Sequence, residues 1–259
     1  MSKRAFHVIA GTLLLAGGSM MASAASVWPP SAVDLGDVSM TATIGGESFN
    51  NIDLTWVEST DPTTGKQGFT LAGGPIILTT EDGSTLTIGD ATFRPDPLLL
   101  FSASATNNGN NPLAYSFAFN APMSPSLTGL VTSHAELGVT LTDGLNNGAT
   151  VQPVSGLMLH SFDVYATGTT VSKNVDIGTL FSIPNGTDSK TYSADSTLFC
   201  TQACVTMSSV LTFTLTGHDA VAFSGKVTQD VAPVPVPAAA YLFGSGLLGL
   251  LGFRRKVSA

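Results

Sequence analysis

The chain has 259 residues, enough for one large β domain or two small ones, and its 43% hydrophobic content against 11% charged residues predicts a folded core rather than disorder. Lys3, Arg4, Arg254, Arg255 and Lys256 crowd the two ends, whereas all eighteen acidic residues lie between Asp34 and Asp230. The middle therefore sets those eighteen against only Lys66, Arg94, Lys173, Lys190 and Lys226, a net of −13. Such a body repels phosphate backbones, which excludes nucleic acid as a partner, and it keeps the protein soluble.

Residues 1–24 read as a signal peptide. Lys3 and Arg4 form a positive start and Ala5 to Ala16 are largely apolar, interrupted by His7 near the beginning. Ala22-Ser23-Ala24 then supplies the small residues of a cleavage site, so cleavage is expected after Ala24, with export by the general secretory route. A retained membrane helix is the other reading.

Residues 25–229 read as strands, in one domain. No stretch of eleven or more residues keeps helical spacing free of Gly, Pro or Ser/Thr runs, while alternation of period two is plentiful. Tyr115, Phe117 and Phe119 alternate in LAYSFAFN, Leu211, Phe213 and Leu215 in VLTFTLTG, and Val221, Phe223 and Val227 in AVAFSGKV. Thr fills many of the opposite positions, as a β-branched polar residue suits the wet face of a sheet. Turn chemistry divides the runs at Glu81-Asp82-Gly83-Ser84, Asn107 to Pro112, Asn147-Gly148 and Gly217-His218-Asp219. The spacing favours a two-sheet antiparallel β-sandwich or jelly roll of roughly ten to fourteen strands, with no internal repeat. Phe93 to Phe119 is expected to form a long central hairpin.

Candidate sites in this body each have a plain structural explanation. Cys200 and Cys204, the two cysteines, are expected as a disulfide in an exported chain; a metal pair would need two further ligands. The C-x₃-C spacing requires Thr201 to Ala203 to turn sharply, so the bond is expected to pin a loop tip. His134, His160 and His218 read as strand or turn residues, and no H-E-x-x-H, G-x-S-x-G or glycine-rich phosphate loop occurs. No cofactor is expected. Calcium is an open candidate where Asp61, Glu81, Asp82 and Asp90 fall near loops, although Asp in turns needs no metal. A glycosidase site needs two carboxylates facing across a cleft, and the sequence alone does not tell which of Glu47, Glu58, Glu81, Glu136 and the turn aspartates would pair. Trp28, Trp56, Tyr115, Tyr165 and Tyr192 are candidate sugar platforms, with Trp56 equally readable as core. Asn185-Gly186-Thr187 reads as a turn.

Residues 230–237, DVAPVPVP, form a stiff linker, and 238–259 an apolar helix with a basic end. The uncharged run from Ala238 to Phe253 would span about 24 Å as a helix, short of the ~30 Å hydrocarbon core. Arg254-Arg255-Lys256 would remain cytoplasmic, leaving the body on the far side. Gly246, Gly249 and Gly252 give a small-residue face on which another helix can pack.

The sequence Val234-Pro235-Val236-Pro237-Ala238, with Tyr241, Phe243, Gly244, Gly246, Gly249 and then Arg254-Arg255, resembles the PEP-CTERM sorting signal. Pro235-Val236-Pro237 replaces the signature Pro-Glu-Pro, and Tyr241 stands where Trp is common. The resemblance covers about 26 residues and leaves a plain C-terminal membrane anchor as the alternative. It implies a Gram-negative bacterium that makes exopolysaccharide, with processing by an exosortase-type membrane protease. The expected protein is a non-enzymatic β-sandwich of the cell envelope or biofilm matrix, held at the membrane by its C-terminal helix before processing. Its role would be structural, adhesive or associated with exopolysaccharide, a candidate partner. The alternative is a secreted hydrolase or carbohydrate-binding module acting on polysaccharide.

Overall fold

The computed structural model describes residues 38–231, apart from Asn51, Asp53, Pro62, Thr63, 155–158 and 167–171. The expected signal peptide with Ala22 and Ala24, the sorting-signal residues Val234 to Arg255, and Trp28 lie outside the described residues. Everything described is strand, turn or loop, in one antiparallel sheet that curls.

The fourteen strands are β1 (Ser39–Ile44), β2 (Glu47–Phe49), β3 (Trp56–Thr60), β4 (Gln67–Leu71), β5 (Ile76–Thr79), β6 (Thr85–Arg94), β7 (Leu98–Thr106), β8 (Leu113–Thr142), β9 (Ala149–Pro153), β10 (His160–Ala166), β11 (Ser172–Ile177), β12 (Phe181–Ile183), β13 (Thr187–Leu215) and β14 (Ala220–Val231). Their main order is β11-β10-β13-β8-β14-β7-β6-β4-β3. β14 runs two residues into the segment expected to be linker.

Two strands organise the fold. β8 has 30 residues and β13 has 29, and they pair along almost their whole length. The first part of β8 carries β1 on its other edge, with Tyr115 opposite Ile44; the last part carries β14, with Val139 opposite Phe223. The ribbon changes neighbours at an irregular corner. There Cys200 lies opposite Gly129, Cys204 opposite Leu127 and Thr206 opposite Pro122. Pro122 and Pro125 sit in β8 at this corner, where a residue without an N–H costs the ladder least.

The alternating residues face inward as expected. Tyr115, Phe117, Phe119, Leu211, Phe213 and Leu215 are buried, and so are Val221, Phe223 and Val227. Rings meet across the interior: Phe101 of β7 packs on Phe117 of β8 at 5.7 Å, and Phe213 of β13 on Phe223 of β14 at 4.8 Å. Each buried Phe or Leu contributes about 1.5–3 kcal/mol by transfer from water.

The expected long hairpin from Phe93 to Phe119 does not form. β6 and β7 make a hairpin around Pro95-Asp96-Pro97, but β14 lies between β7 and β8. The cause is the Asn107–Pro112 connection, which crosses to the end of β13. Asn107, fully buried, donates from Nδ2 to the carbonyls of Asn111, Leu215 and Thr216, at 2.9, 3.0 and 3.1 Å. Its backbone N–H is taken by the Asp219 carbonyl at 2.9 Å.

The predicted turns are present. Gly83, at φ 80°, closes the β5–β6 hairpin, and the Asp82 carboxylate accepts from the Thr80 hydroxyl and the Ser84 N–H at 2.5 and 3.0 Å. These bonds hold Asp82 below the usual carboxylate range, the Thr80 hydroxyl contributing most.

Candidate functional site

The part of the sheet built from β13, β8, β14, β7 and β6 has an outer face on which cross-strand partners line up in rows. One row runs Thr191, Gly138, Ser224, Ser102, Asp90; the next runs Ser193, Glu136, Lys226, Leu100, Thr92. Between them lies a groove of about 460 Å³, which leads into a second hollow of about 330 Å³ lined also by Thr140, Ser189 and Lys190.

Two glycines and one bulge shape this groove. A Cβ on Gly138 would stand 2.6 Å from the Ser224 hydroxyl, so the missing side chain deepens the floor. On the inner face a Cβ on Gly225 would stand 2.1 Å from Phe101, which needs that space to pack. In β6 the buried side switches from Leu86 and Ile88 to Ala91 and Phe93, with a register shift between Ile88 and Asp90. That bulge turns Asp90 outward, and its backbone N–H bonds the Ser102 hydroxyl at 2.9 Å. The floor is thus hydroxyls, with the half-exposed Leu100 as an apolar patch.

A line of charges crosses the same face. Asp195 meets His134 Nδ1 at 2.7 Å, His134 Nε2 meets Glu136 at 3.1 Å, and Lys226 stands 3.8 Å from Glu136. Carboxylates on both ring nitrogens require both to donate, which only the imidazolium can do. The Asp195 hydrogen bond, followed by that of Glu136, accordingly raises the His134 pKa. Glu136 is lowered, first by His134 and then by Lys226.

The chemistry open to this arrangement is binding through hydroxyls and paired charges. Both nitrogens of His134 are engaged, so it is not offered to a serine as a base. Glu136 and Asp90 lie in neighbouring rows three strands apart, about 14 Å at ordinary strand spacing, wider than the ~5–9.5 Å of glycosidase carboxylates.

The other candidates are dispersed. His160 is buried against Phe101, and His218 occupies the β13–β14 turn at φ 62°. Asp61 pairs with Arg94 at 3.0 Å, while Lys66 pairs with Asp96 at 2.6 Å. Among the described residues no group of three or more His, Cys, Asp or Glu is arranged to hold a metal. Tyr115 is buried, which removes it as a platform; burial raises its pKa, and its hydroxyl donates to the Thr106 carbonyl at 2.9 Å. Trp56 packs edge-on against Phe93 and Phe119 at 5.2 and 5.6 Å, the core alternative. Tyr165 is half-buried, and Tyr192 carries Lys190 over its ring at 4.8 Å and donates to the Thr179 carbonyl.

Cys200 and Cys204 are joined, with Cα atoms 6.0 Å apart, and both are buried. The bond is not at a loop tip. It staples the corner of the β8–β13 ribbon, because the three residues between the cysteines are taken up as a bulge inside β13. A disulfide fits an oxidising compartment. Among the described residues no helix is long and apolar enough to cross a membrane.

No family model and no curated protein matches the chain. Among solved structures it is similar to tailspike protein 4 of bacteriophage CBA120, at 10% identity and TM-score 0.22, over 74% of this chain but 19% of that one. It is also similar to the CBM22-1–GH10 modules of Clostridium thermocellum xylanase 10B, at 9% identity and TM-score 0.23, over 76% of this chain and 27% of that one. A Fischerella cyclase matches at 10% identity and TM-score 0.24, over 69% and 90% of the two chains. At these scores none assigns an activity.

Proposed function

We propose that this protein is an exported β-sandwich of the cell envelope or extracellular matrix, delivered by its PEP-CTERM-like tail and associated with exopolysaccharide without catalysing a reaction. The groove carries the reading. Thr92, Ser102, Thr191 and Ser224 offer hydroxyls that donate and accept, and Leu100 offers an apolar contact for the face of a sugar ring. The Cys200–Cys204 bond and the acidic body suit an extracytoplasmic site. The two halves of the curled sheet, whose rings meet at Phe101–Phe117 and Phe93–Phe119, are read as the layers of the sandwich.

The test has two arms. Fractionation with intact-mass analysis, in strains with and without exosortase, is expected to show residues 238–259 lost only where exosortase is present; their retention in both strains overturns the sorting reading. Co-sedimentation with the strain's own matrix polymer is expected to fall at least tenfold in Leu100→Asp, which places a charge in the groove without touching the core. Unchanged sedimentation overturns the groove. A carbohydrate-binding module is the second reading, favoured by the same groove, and it predicts binding to isolated polysaccharides as well as to the native matrix.

A further inference from the structure

Two large apolar side chains stand exposed side by side on the outside of the disulfide corner. Phe199 is 62% exposed and Leu130 is 45% exposed, and they are direct cross-strand partners on β13 and β8. Such pairs are ordinarily turned inward, and the same ribbon does turn Val131 and Cys200 inward one residue away. The stretches of β8 and β13 around the pair are uncharged, while the exposed Asp230 of β14 stands opposite Thr132 on the same face. No charged residue occurs from Met123 to Ser133 or from Ser196 to Thr216, in a body that otherwise carries a strong negative excess.

The described residues end beside the same corner. The last described ladder pair of β14 is Val231 opposite Val131, next to Leu130. Six residues separate Val231 from Ala238, where the apolar stretch to Phe253 begins. The seven residue steps from Val231 to Ala238, fully extended, reach at most about 25 Å. Whatever holds Ala238 therefore holds Val231 within that distance, with the Leu130–Phe199 corner beside it on the next two strands.

We infer that Phe199 and Leu130 form a membrane-facing contact, seated in the interfacial layer of the bilayer that holds the C-terminal stretch before it is processed. The inference rests on the proposal that this stretch enters a membrane. Two features agree on a lipid surface as the occupant: the tether keeps the corner close to whatever holds Ala238, and the corner offers an aromatic and an aliphatic side chain, which suit the bilayer interface. The groove lies further along the same strands toward Thr140, on the same face of the sheet.

The test uses the full chain reconstituted into vesicles of phosphatidylethanolamine and phosphatidylglycerol, with Phe199→Trp as the probe and Ile77→Trp as control. Ile77 is 61% exposed and its row runs through Thr87, Ser104 and Ala222 to Thr140, about 30 Å along β8 from Leu130. Measured as the difference from the unsubstituted chain, the emission added by Phe199→Trp is expected to shift to the blue and be quenched by brominated acyl chains. The emission added by Ile77→Trp is expected to do neither. Combining Leu130→Glu with the probe is expected to reverse the shift while the protein still floats with the vesicles. Flotation with an unquenched, unshifted probe overturns the contact. A blue shift without quenching assigns the corner to the chain's own tail, and also overturns it. Loss of flotation in the unsubstituted chain overturns the membrane reading of the tail, on which the contact depends.

Discussion

Gly225 and Phe101 are cross-strand partners on β14 and β7, and the phenyl ring fills the space a side chain at 225 would need. A Cβ there would come within 2.1 Å of the ring, far inside contact distance. Phe101 cannot retreat, because Phe117 and His160 hold it at 5.7 and 5.4 Å. Gly225→Ala is expected to cost about 1–3 kcal/mol as overpacking, read as a lower urea midpoint at unchanged slope. The pair Gly225→Ala with Phe101→Leu is expected to recover part of that loss.

Stability should fall on mild acidification because of His160. The ring is fully buried and shares a 2.6 Å hydrogen bond with the Ser209 hydroxyl. Burial pushes its pKa down to about 4 from 6.5, against a smaller opposing pull from Asp176. Between those values the unfolded chain binds a proton that the folded one refuses, so stability is complete above 6.5 and declines as pH drops toward 4. The loss amounts to about 3 kcal/mol. Urea midpoints measured across this window should slope in the wild type and lose most of that slope in His160→Leu.

Asn107 should be the most sensitive polar residue at its end of the sheet. One side-chain amide serves three carbonyls, from Asn111, Leu215 and Thr216, and its oxygen accepts the Gly109 N–H at 3.0 Å. Asn107→Ala is expected to cost about 2–4 kcal/mol, from buried carbonyls left without donors. Asn107→Asp should be at least as damaging, since it turns a carboxylate oxygen toward those acceptors. Thermal unfolding of the two variants distinguishes this from a mere loss of packing.

Removing the disulfide should loosen a corner rather than unfold a domain. For so short a loop the chain-entropy contribution is about 2 kcal/mol. Cys200→Ser with Cys204→Ser is expected to lose roughly that much, and the gain in amide exchange should be confined to the two sides of the corner, near Leu127 to Leu130 and Phe199 to Thr206. Exchange that rises evenly through β8 and β13 instead would contradict the corner assignment.

What could be read in the sequence was whatever is local. Alternation placed Tyr115, Phe117, Phe119, Leu211, Phe213 and Leu215 on the buried side, and Asp82-Gly83 announced its hairpin. The pairing of Cys200 with Cys204 was equally legible, but its position was not, because the spacing speaks of proximity and not of the strand that surrounds it. Proline ordinarily argues against a strand interior, yet β8 carries Pro122 and Pro125 through a corner where its ladder is already interrupted. The groove was hidden for another reason. His134 and Asp195 are 61 residues apart, and only the β8–β13 register brings them together. Asp90 had left a trace, since the apolar positions change parity on either side of Gly89, as a bulge requires.

β14 is the final strand of the described sheet and yet lies in its middle, between β7 and β8. A chain emerging from its N-terminus can zip β6 to β7, but it leaves the inner edges of β7 and β8 bare until residues near 231 arrive. Pairings of such long range make folding slow, on the order of milliseconds to seconds. During that wait two open strand edges invite the wrong neighbour. This architecture therefore leaves the chain open to mispairing until its last described strand has been made and has docked.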